Sequence, residues 1–234
     1  MERSRRGLAG AGEWPVLQKL LPDFAQKEVL DLGCGFGWHC AYAARQGAKR
    51  VVGVDLSEKM LAVAKKQNAF PNVEYRCHTL DEIEEPPDSF DIVLSSLALH
   101  YLPSFDAVCE KVAGVLRAGG LFVFTVEHPV FTAYGTQQWL YDENGEIVCW
   151  PVDRYFERGP RQAEFLGETV CKYHRTLTDY LDTLLQRGFE MQRFVEPMPT
   201  EQALAEDSGM ADELRRPMMM IICARNAKKG RQEE

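Results

Sequence analysis

Apolar residues fall in short blocks along the first half of the chain, separated by polar stretches with helical spacing. Val29 to Gly33 reads as a buried strand running into a glycine loop. Trp38 to Gln46 has the helical pattern, and Gly47 suits its C-terminal cap. Arg50 to Leu56 is a valine-rich second strand; Ser57 stands at an N-cap position, ahead of a helix from Glu58 to Gln67. Val73 to His78 and Phe90 to Ser96 form the third and fourth strands, Phe105 to Leu116 a helix, and Leu121 to Glu127 a fifth strand. Apolar strands alternating with helices indicate a parallel sheet covered on both faces.

The rhythm then breaks. Residues 128 to 170 carry aromatic-rich patches without a long helical pattern, and Asp142-Glu143-Asn144-Gly145 predicts a hairpin turn. A helix from Thr178 to Arg187, stopped by Gly188, precedes strands at Phe189 to Glu196 and Pro217 to Arg225, and residues 226 to 234 read as a frayed tail. The expected organisation is one domain over 1–234, with an N-terminal cap over 1–24 and a lid inserted over 128–170.

Composition narrows the function. The 234 residues are 45% hydrophobic, enough for a full core. The net charge of -8 repels phosphate backbones and argues against a nucleic-acid partner, and Arg3, Arg5 and Arg6 are too few to reverse it. Seven cysteines, odd in number and without a Cys-x-x-Cys pair, argue against a disulfide framework or a zinc site and for a reducing cytoplasm. No apolar run approaches the roughly 18 residues of a membrane span, and no apolar core follows the basic N-terminus, so neither a span nor a signal peptide is expected. The pattern leaves the oligomeric state open.

The chemistry concentrates at Asp31-Leu32-Gly33-Cys34-Gly35-Phe36-Gly37. Alternate glycines between strand and helix let the backbone turn sharply and a nucleotide-like ligand approach. Asp55 ends the second strand twenty residues after Gly35, where a carboxylate can accept ribose hydroxyls. A dinucleotide fingerprint would place glycine at 38, where a pyrophosphate presses on the helix N-terminus, but Trp38 stands there. A phosphate-free nucleoside such as S-adenosylmethionine does not need that glycine.

These residues resemble class I, Rossmann-like S-adenosylmethionine-dependent methyltransferases of the small-molecule type. Asp31 to Gly37 looks like their first motif, Val52-Gly53-Val54-Asp55-Leu56-Ser57 like the next, Phe90 to His100 like the fourth-strand motif, and Leu116-Arg117-Ala118-Gly119-Gly120 like the turn before strand five. The resemblance implies a doubly wound α/β fold with a seven-stranded, mostly parallel sheet whose last strand is antiparallel. It implies S-adenosylmethionine as cofactor, with Gly33 and Gly35 passing its methionine half, Asp55 holding the ribose, and Leu56 and Met60 flanking the adenine. Asp31, Cys34 and Ser96 complete the expected contacts, with Asp31 open to a second reading as a brace for the loop. Many relatives have an aspartate after strand three; Thr79 stands there, with Leu80 beside it, and Asp81 could substitute if the strand slips by two.

The acceptor site should lie beyond the strand ends. His128 is the first candidate base, followed by His174 and His100. Arg154 and Tyr155 could bind an acceptor anion, and Trp14 could roof the pocket. His128 has a second reading as a lid anchor, and Trp14 as a helix staple. The competing functions are a nicotinamide-dependent oxidoreductase and a non-catalytic S-adenosylmethionine-binding protein.

Overall fold

A computed structural model describes residues 7–80, 83–165 and 167–228. Asp81, residues 229–234 and the Arg3, Arg5 and Arg6 group lie outside them. After a 3₁₀ turn at Gly7–Gly10 come α1 (Trp14–Leu20), β1 (Glu28–Leu32), α2 (Trp38–Arg45), β2 (Arg50–Asp55), α3 (Glu58–Gln67), β3 (Val73–Cys77), β4 (Phe90–Ser96), α4 (Phe105–Val115) and β5 (Leu116–Glu127). With β10 (Phe189–Val195) and β11 (Met219–Asn226) from the end of the chain, seven strands pair in the order β10-β11-β5-β4-β1-β2-β3. The pairs β1–β2, β1–β4, β2–β3 and β4–β5 are parallel, and β11 runs antiparallel to both β5 and β10. The mostly parallel sheet and its antiparallel last strand are therefore present.

Each face of the sheet carries its own apolar layer. Phe105, Val108 and Val112 of α4 and Tyr180 and Leu184 of α6 (Leu177–Gln186) cover one face, packed on Leu30, Val93, Phe122 and Phe124. Leu17 of α1, Cys40 and Ala43 of α2, and Leu61 and Ala64 of α3 cover the other, on Val29, Val51, Leu94 and Val123. Alternate residues of one strand thus feed two cores, which is why the strands read as continuous apolar runs. Ser57 caps α3, accepting the Met60 N–H at 3.3 Å. Helix α6 starts one residue before the expected position, because Thr176 and Asp179 close a reciprocal capping box there.

The segment after β5 folds as a short helical turn, α5 (Pro129–Thr132), and two hairpins, β6 (Leu140–Tyr141) with β7 (Ile147–Cys149) and β8 (Gly159–Phe165) with β9 (Glu168–His174). The turn between β6 and β7 is the one predicted, with Asp142 Oδ1 accepting the N–H groups of Asn144 and Glu146. The second hairpin was not legible in the sequence, and it carries the insertion past residue 170 to His174. Between β10 and β11 lie α7 (Glu201–Glu206) and a 3₁₀ stretch at Ser208–Arg215, neither of which buries a residue. The final strand reaches Asn226, whose side-chain amide donates to the carbonyls of Ala113 and Leu116, so this residue is not part of a frayed end. No helix of the described residues is long and apolar enough to cross a membrane.

Candidate active site

The glycine loop sits at the carboxyl ends of β1 and β4, which the parallel register brings level through Asp31 and Leu94. Gly33 has φ 76°, and a Cβ there would lie 2.3 Å from the Ala98 Cβ. Gly35 has φ 53°, and a Cβ there would meet only the Met60 sulfur, at 3.8 Å. The first glycine is thus required by the close approach of the β4 loop, while the second leaves an open face. Asn68 supports the loop, donating from its side chain to the Phe36 carbonyl at 2.7 Å.

Asp55, at the end of β2, accepts the Gly35 N–H at 2.8 Å through Oδ2 and the Ser57 N–H at 2.9 Å through Oδ1. Each carboxylate oxygen has about two acceptor positions, so one on each remains for a ligand. Leu56 is 67% exposed and Met60 40%, an unusual placement for two large apolar side chains flanking one carboxylate. Leu80 is buried near Gly33, and the buried Thr79 hydroxyl oxygen has no hydrogen-bond partner among the described residues. This open glycine face, a half-used carboxylate, two exposed apolar side chains and an orphaned hydroxyl make a cradle that fits an adenosine-bearing ligand. Asp31 lies beneath it, 1% exposed, accepting the Cys40 thiol at 3.2 Å from within the core. Cys34 is also buried.

At the end of β4, Leu97 adopts φ 53°, a conformation rare for a leucine. Its N–H donates to the Thr125 carbonyl and, at 3.1 Å, to the Thr125 hydroxyl. The neighbouring Ser96 hydroxyl reaches Glu13 Oε1 at 3.5 Å. Trp14 packs edge-on against His39 and Tyr42 of α2, with centroids at 5.7 and 4.8 Å, which places it as a staple between α1 and α2.

The three candidate histidines are all engaged. His100 Nδ1 accepts the Glu127 N–H at 3.4 Å, and burial pushes its pKa down to about 4. His128 Nδ1 caps α5 by accepting the Val130 N–H at 3.0 Å, while Nε2 lies 3.0 Å from Glu196 Oε1; burial lowers its pKa despite that carboxylate. His174 holds Tyr155 O at 2.9 Å through Nε2 and the Thr132 hydroxyl at 2.7 Å through Nδ1. Arg154 is exposed and paired with Glu157 at 2.6 Å, and the Tyr155 hydroxyl accepts the Leu177 N–H at 3.2 Å. Tyr155 thus stands at the start of α6, while Arg154 pairs within its own loop.

Several charged residues that the sequence did not single out are buried here. Lys172 of β9 is paired with Glu127, the last residue of β5, and also donates to Gln137 at 2.9 Å. Gln137 in turn donates to Glu127 Oε2. The Arg161 guanidinium holds the carbonyls of Ala133 and Glu157, at 3.1 and 2.6 Å. Arg216 sits among Phe131, Trp139 and Trp150, 4.3 to 5.0 Å from their centroids, and pairs with Glu213 at 2.7 Å. The aromatics that the sequence concentrates in the insertion therefore grip a guanidinium that ties the insertion to the start of β11. A groove of about 530 Å³ also opens beside α4 and α6, lined by Ser104, Asp106, Arg158 and His174 among others, but no residue of the glycine cradle lines it.

Residues 30–124 match the family model of a methyltransferase domain. A crystal structure from Listeria monocytogenes, described provisionally as an S-adenosylmethionine-dependent methyltransferase, is 53% identical; the match covers 93% of this chain and 99% of that one, with a TM-score of 0.87. An S-adenosylmethionine-dependent methyltransferase from Mesorhizobium loti is 42% identical over 94% of this chain and 100% of its own, also with a TM-score of 0.87. A ubiquinone biosynthesis O-methyltransferase from a Bradyrhizobium species is 39% identical over 97 residues, 41% of this chain and 38% of that protein. Likeness over nearly whole chains, with the glycine loop inside the matched domain, sets aside the nicotinamide reading: the chain belongs to the class I S-adenosylmethionine-dependent methyltransferases, enzymes that use this sulfonium as methyl donor.

Proposed function

We propose that the acceptor is a small molecule presenting an oxygen or nitrogen nucleophile, bound beneath the 128–174 insertion at the carboxyl end of β5. The observation that carries this reading is the Glu127–Lys172–Gln137 knot, which clamps the insertion over the strand end. A roof held by a buried ion pair favours a compact acceptor over a polymer. The net charge of -8 points the same way, and the O-methyltransferase relative makes oxygen a natural acceptor atom.

In this reading Gly33, Cys34 and Gly35 offer backbone to the cofactor, Asp55 accepts its ribose hydroxyls, and Leu56 and Met60 flank its adenine, with Thr79 and Leu80 at the rim. Asp31 braces the loop from below. The cofactor supplies a methyl group already activated by its sulfonium. The protein has to align the nucleophile, exclude water and receive a proton. His100, His128 and His174 already hold backbone or hydroxyl partners, so they act as braces. Glu127 lies at the strand end and keeps acceptor capacity beyond Lys172 and Gln137. A hydroxyl or ammonium on the acceptor can therefore donate to it and leave its proton there.

The test is release of S-adenosylhomocysteine by the purified chain, with small phenols, alcohols and amines in one series and with transfer RNA and mixed protein in another. Turnover with members of the first series, lost in Glu127→Gln, is expected. Methyl label incorporated only into macromolecules would overturn the assignment.

A further inference from the structure

The third glycine of the loop makes room for a tyrosine two strands away. Tyr75 of β3 lies opposite Gly53 in the β2–β3 register, and a Cβ at 53 would lie 2.9 Å from the Tyr75 ring. The ring crosses β2 there and reaches the loop after β1, where its hydroxyl would stand 2.3 Å from a Cβ at Gly37. Side chains are thus missing at 37 and at 53, and one tyrosine fills both places. Its hydroxyl donates to the carbonyl of Asn68, the residue that closes α3, at 2.9 Å. Burial pushes the Tyr75 pKa far up, so the hydroxyl stays a donor. Asn68 is itself 1% exposed, and its side-chain amide donates to the Phe36 carbonyl at 2.7 Å. Tyr75, Asn68 and Phe36 therefore form one continuous brace from β3 to the glycine loop.

The two halves of the loop are held from different sides. The N–H groups of Gly33 and Cys34 both donate to the Val54 carbonyl, at 2.8 and 3.0 Å, and that of Gly35 donates to Asp55, so β2 fixes the first half. The second half, Phe36–Gly37, leads into α2, and its Phe36 carbonyl goes to Asn68. The Asn68 amide leaves its own Oδ1 buried without a partner among the described residues. A buried acceptor left unpaired is costly, so the residue is explained by the donor it aims at the loop. We infer that Asn68 and Tyr75 are positioning residues for the cofactor, holding the Phe36–Gly37 peptide, and with it the open side of the glycine loop, in the shape that binds. A site already held in its bound shape loses less freedom when the ligand arrives. The inference rests on the cofactor placement proposed above, with S-adenosylmethionine over the glycine loop.

Calorimetric titration of the full chain with S-adenosylhomocysteine, well below the melting temperature, tests it alongside thermal unfolding. Tyr75→Phe removes the hydroxyl and keeps the ring; Asn68→Ala removes the amide. Each should raise the Kd by roughly threefold to tenfold, the effect of one lost neutral hydrogen bond. Tyr75→Phe reads the brace even if Asn68→Ala folds poorly. Because the hydroxyl acts through Asn68, the double variant should bind as Asn68→Ala binds, although it melts below either single variant. A merely structural role would lower the melting temperature and leave the Kd of the folded protein where it was. An unchanged Kd in both single variants, or losses that multiply in the double variant, would overturn the inference. Asp55→Ala separates the underlying placement. If it weakens binding while Tyr75→Phe and Asn68→Ala do not, the placement stands and the brace has no part in it. If it binds normally, the placement of the ribose fails, and Tyr75→Phe still decides whether the brace bears on binding.

Discussion

The carboxylate of Asp55 accepts the backbone N–H of Gly35 at 2.8 Å, bridging the end of β2 and the loop after β1 across twenty residues of sequence. The same carboxylate accepts the Ser57 N–H, so it shapes the loop as well as facing its open side. Asp55→Ala should therefore weaken S-adenosylhomocysteine binding by about tenfold or more and also lower the melting temperature of the free protein. Asp55→Asn retains an amide oxygen for one of the two N–H groups and should fall between the two in thermal stability. Calorimetry and thermal unfolding check both; an unaltered affinity in the alanine variant would remove Asp55 from the cofactor site.

Gly33→Ala places a methyl 2.3 Å from the Ala98 Cβ in a residue held at φ 76°. Overpacking and left-handed strain each cost about 1–3 kcal/mol. For a chain of this size a drop in melting temperature of roughly 5 °C or more is expected. S-adenosylhomocysteine binding should fall with it. A variant that melts and binds like the wild type would mean that the β4 loop is free to move away.

Lys172→Met leaves the Glu127 carboxylate, 13% exposed, without its cation. Breaking a buried pair from one side typically destabilises by about 3–5 kcal/mol. Adding Glu127→Gln to the same chain should restore much of that loss, because the stranded charge is gone. Denaturant unfolding of both single variants and the double variant gives the coupling directly. A Lys172→Met chain as stable as wild type would show that the knot does not hold the insertion.

His100 is buried, with a folded pKa near 4 against about 6.5 when unfolded; burial dominates, Lys172 and Arg175 lower it further, and Glu127 opposes them. Because the unfolded chain takes up the proton first, stability is fully present above about pH 6.5, falls as pH drops toward 4, and levels off below. The contribution at stake is about 3 kcal/mol. His128 and His174 are also shifted down by burial and add to the slope in the same direction. His100→Asn should flatten the stability profile between pH 4 and 6.5 without abolishing the slope. An unchanged slope in that variant would show that His100 titrates normally in the folded protein.

The parts legible in the sequence were those written in short-range terms. The glycine loop, the acid twenty residues on, the Ser57 cap and the Asn-Gly hairpin each depend on a few neighbouring residues, and the strands announce themselves because both of their faces are buried. What only the tertiary structure decided was where charge goes. Lys172 meets Glu127 across 45 residues, and Ser96 meets Glu13 across 83. A charged side chain reads as solvated until its distant partner is known, so Glu13, Glu127, Arg161, Lys172 and Arg216 carried no local signal. The same reason turned Trp14 and the insertion's aromatics from expected pocket walls into packing around α2 and Arg216. The stretch from 201 to 215 buries nothing, and without a buried stripe a helix has no apolar period to detect. Local pattern determines which segments become strands and where the glycine loop falls between them; long-range pairing of buried charge decides how the insertion is fastened to the end of β5.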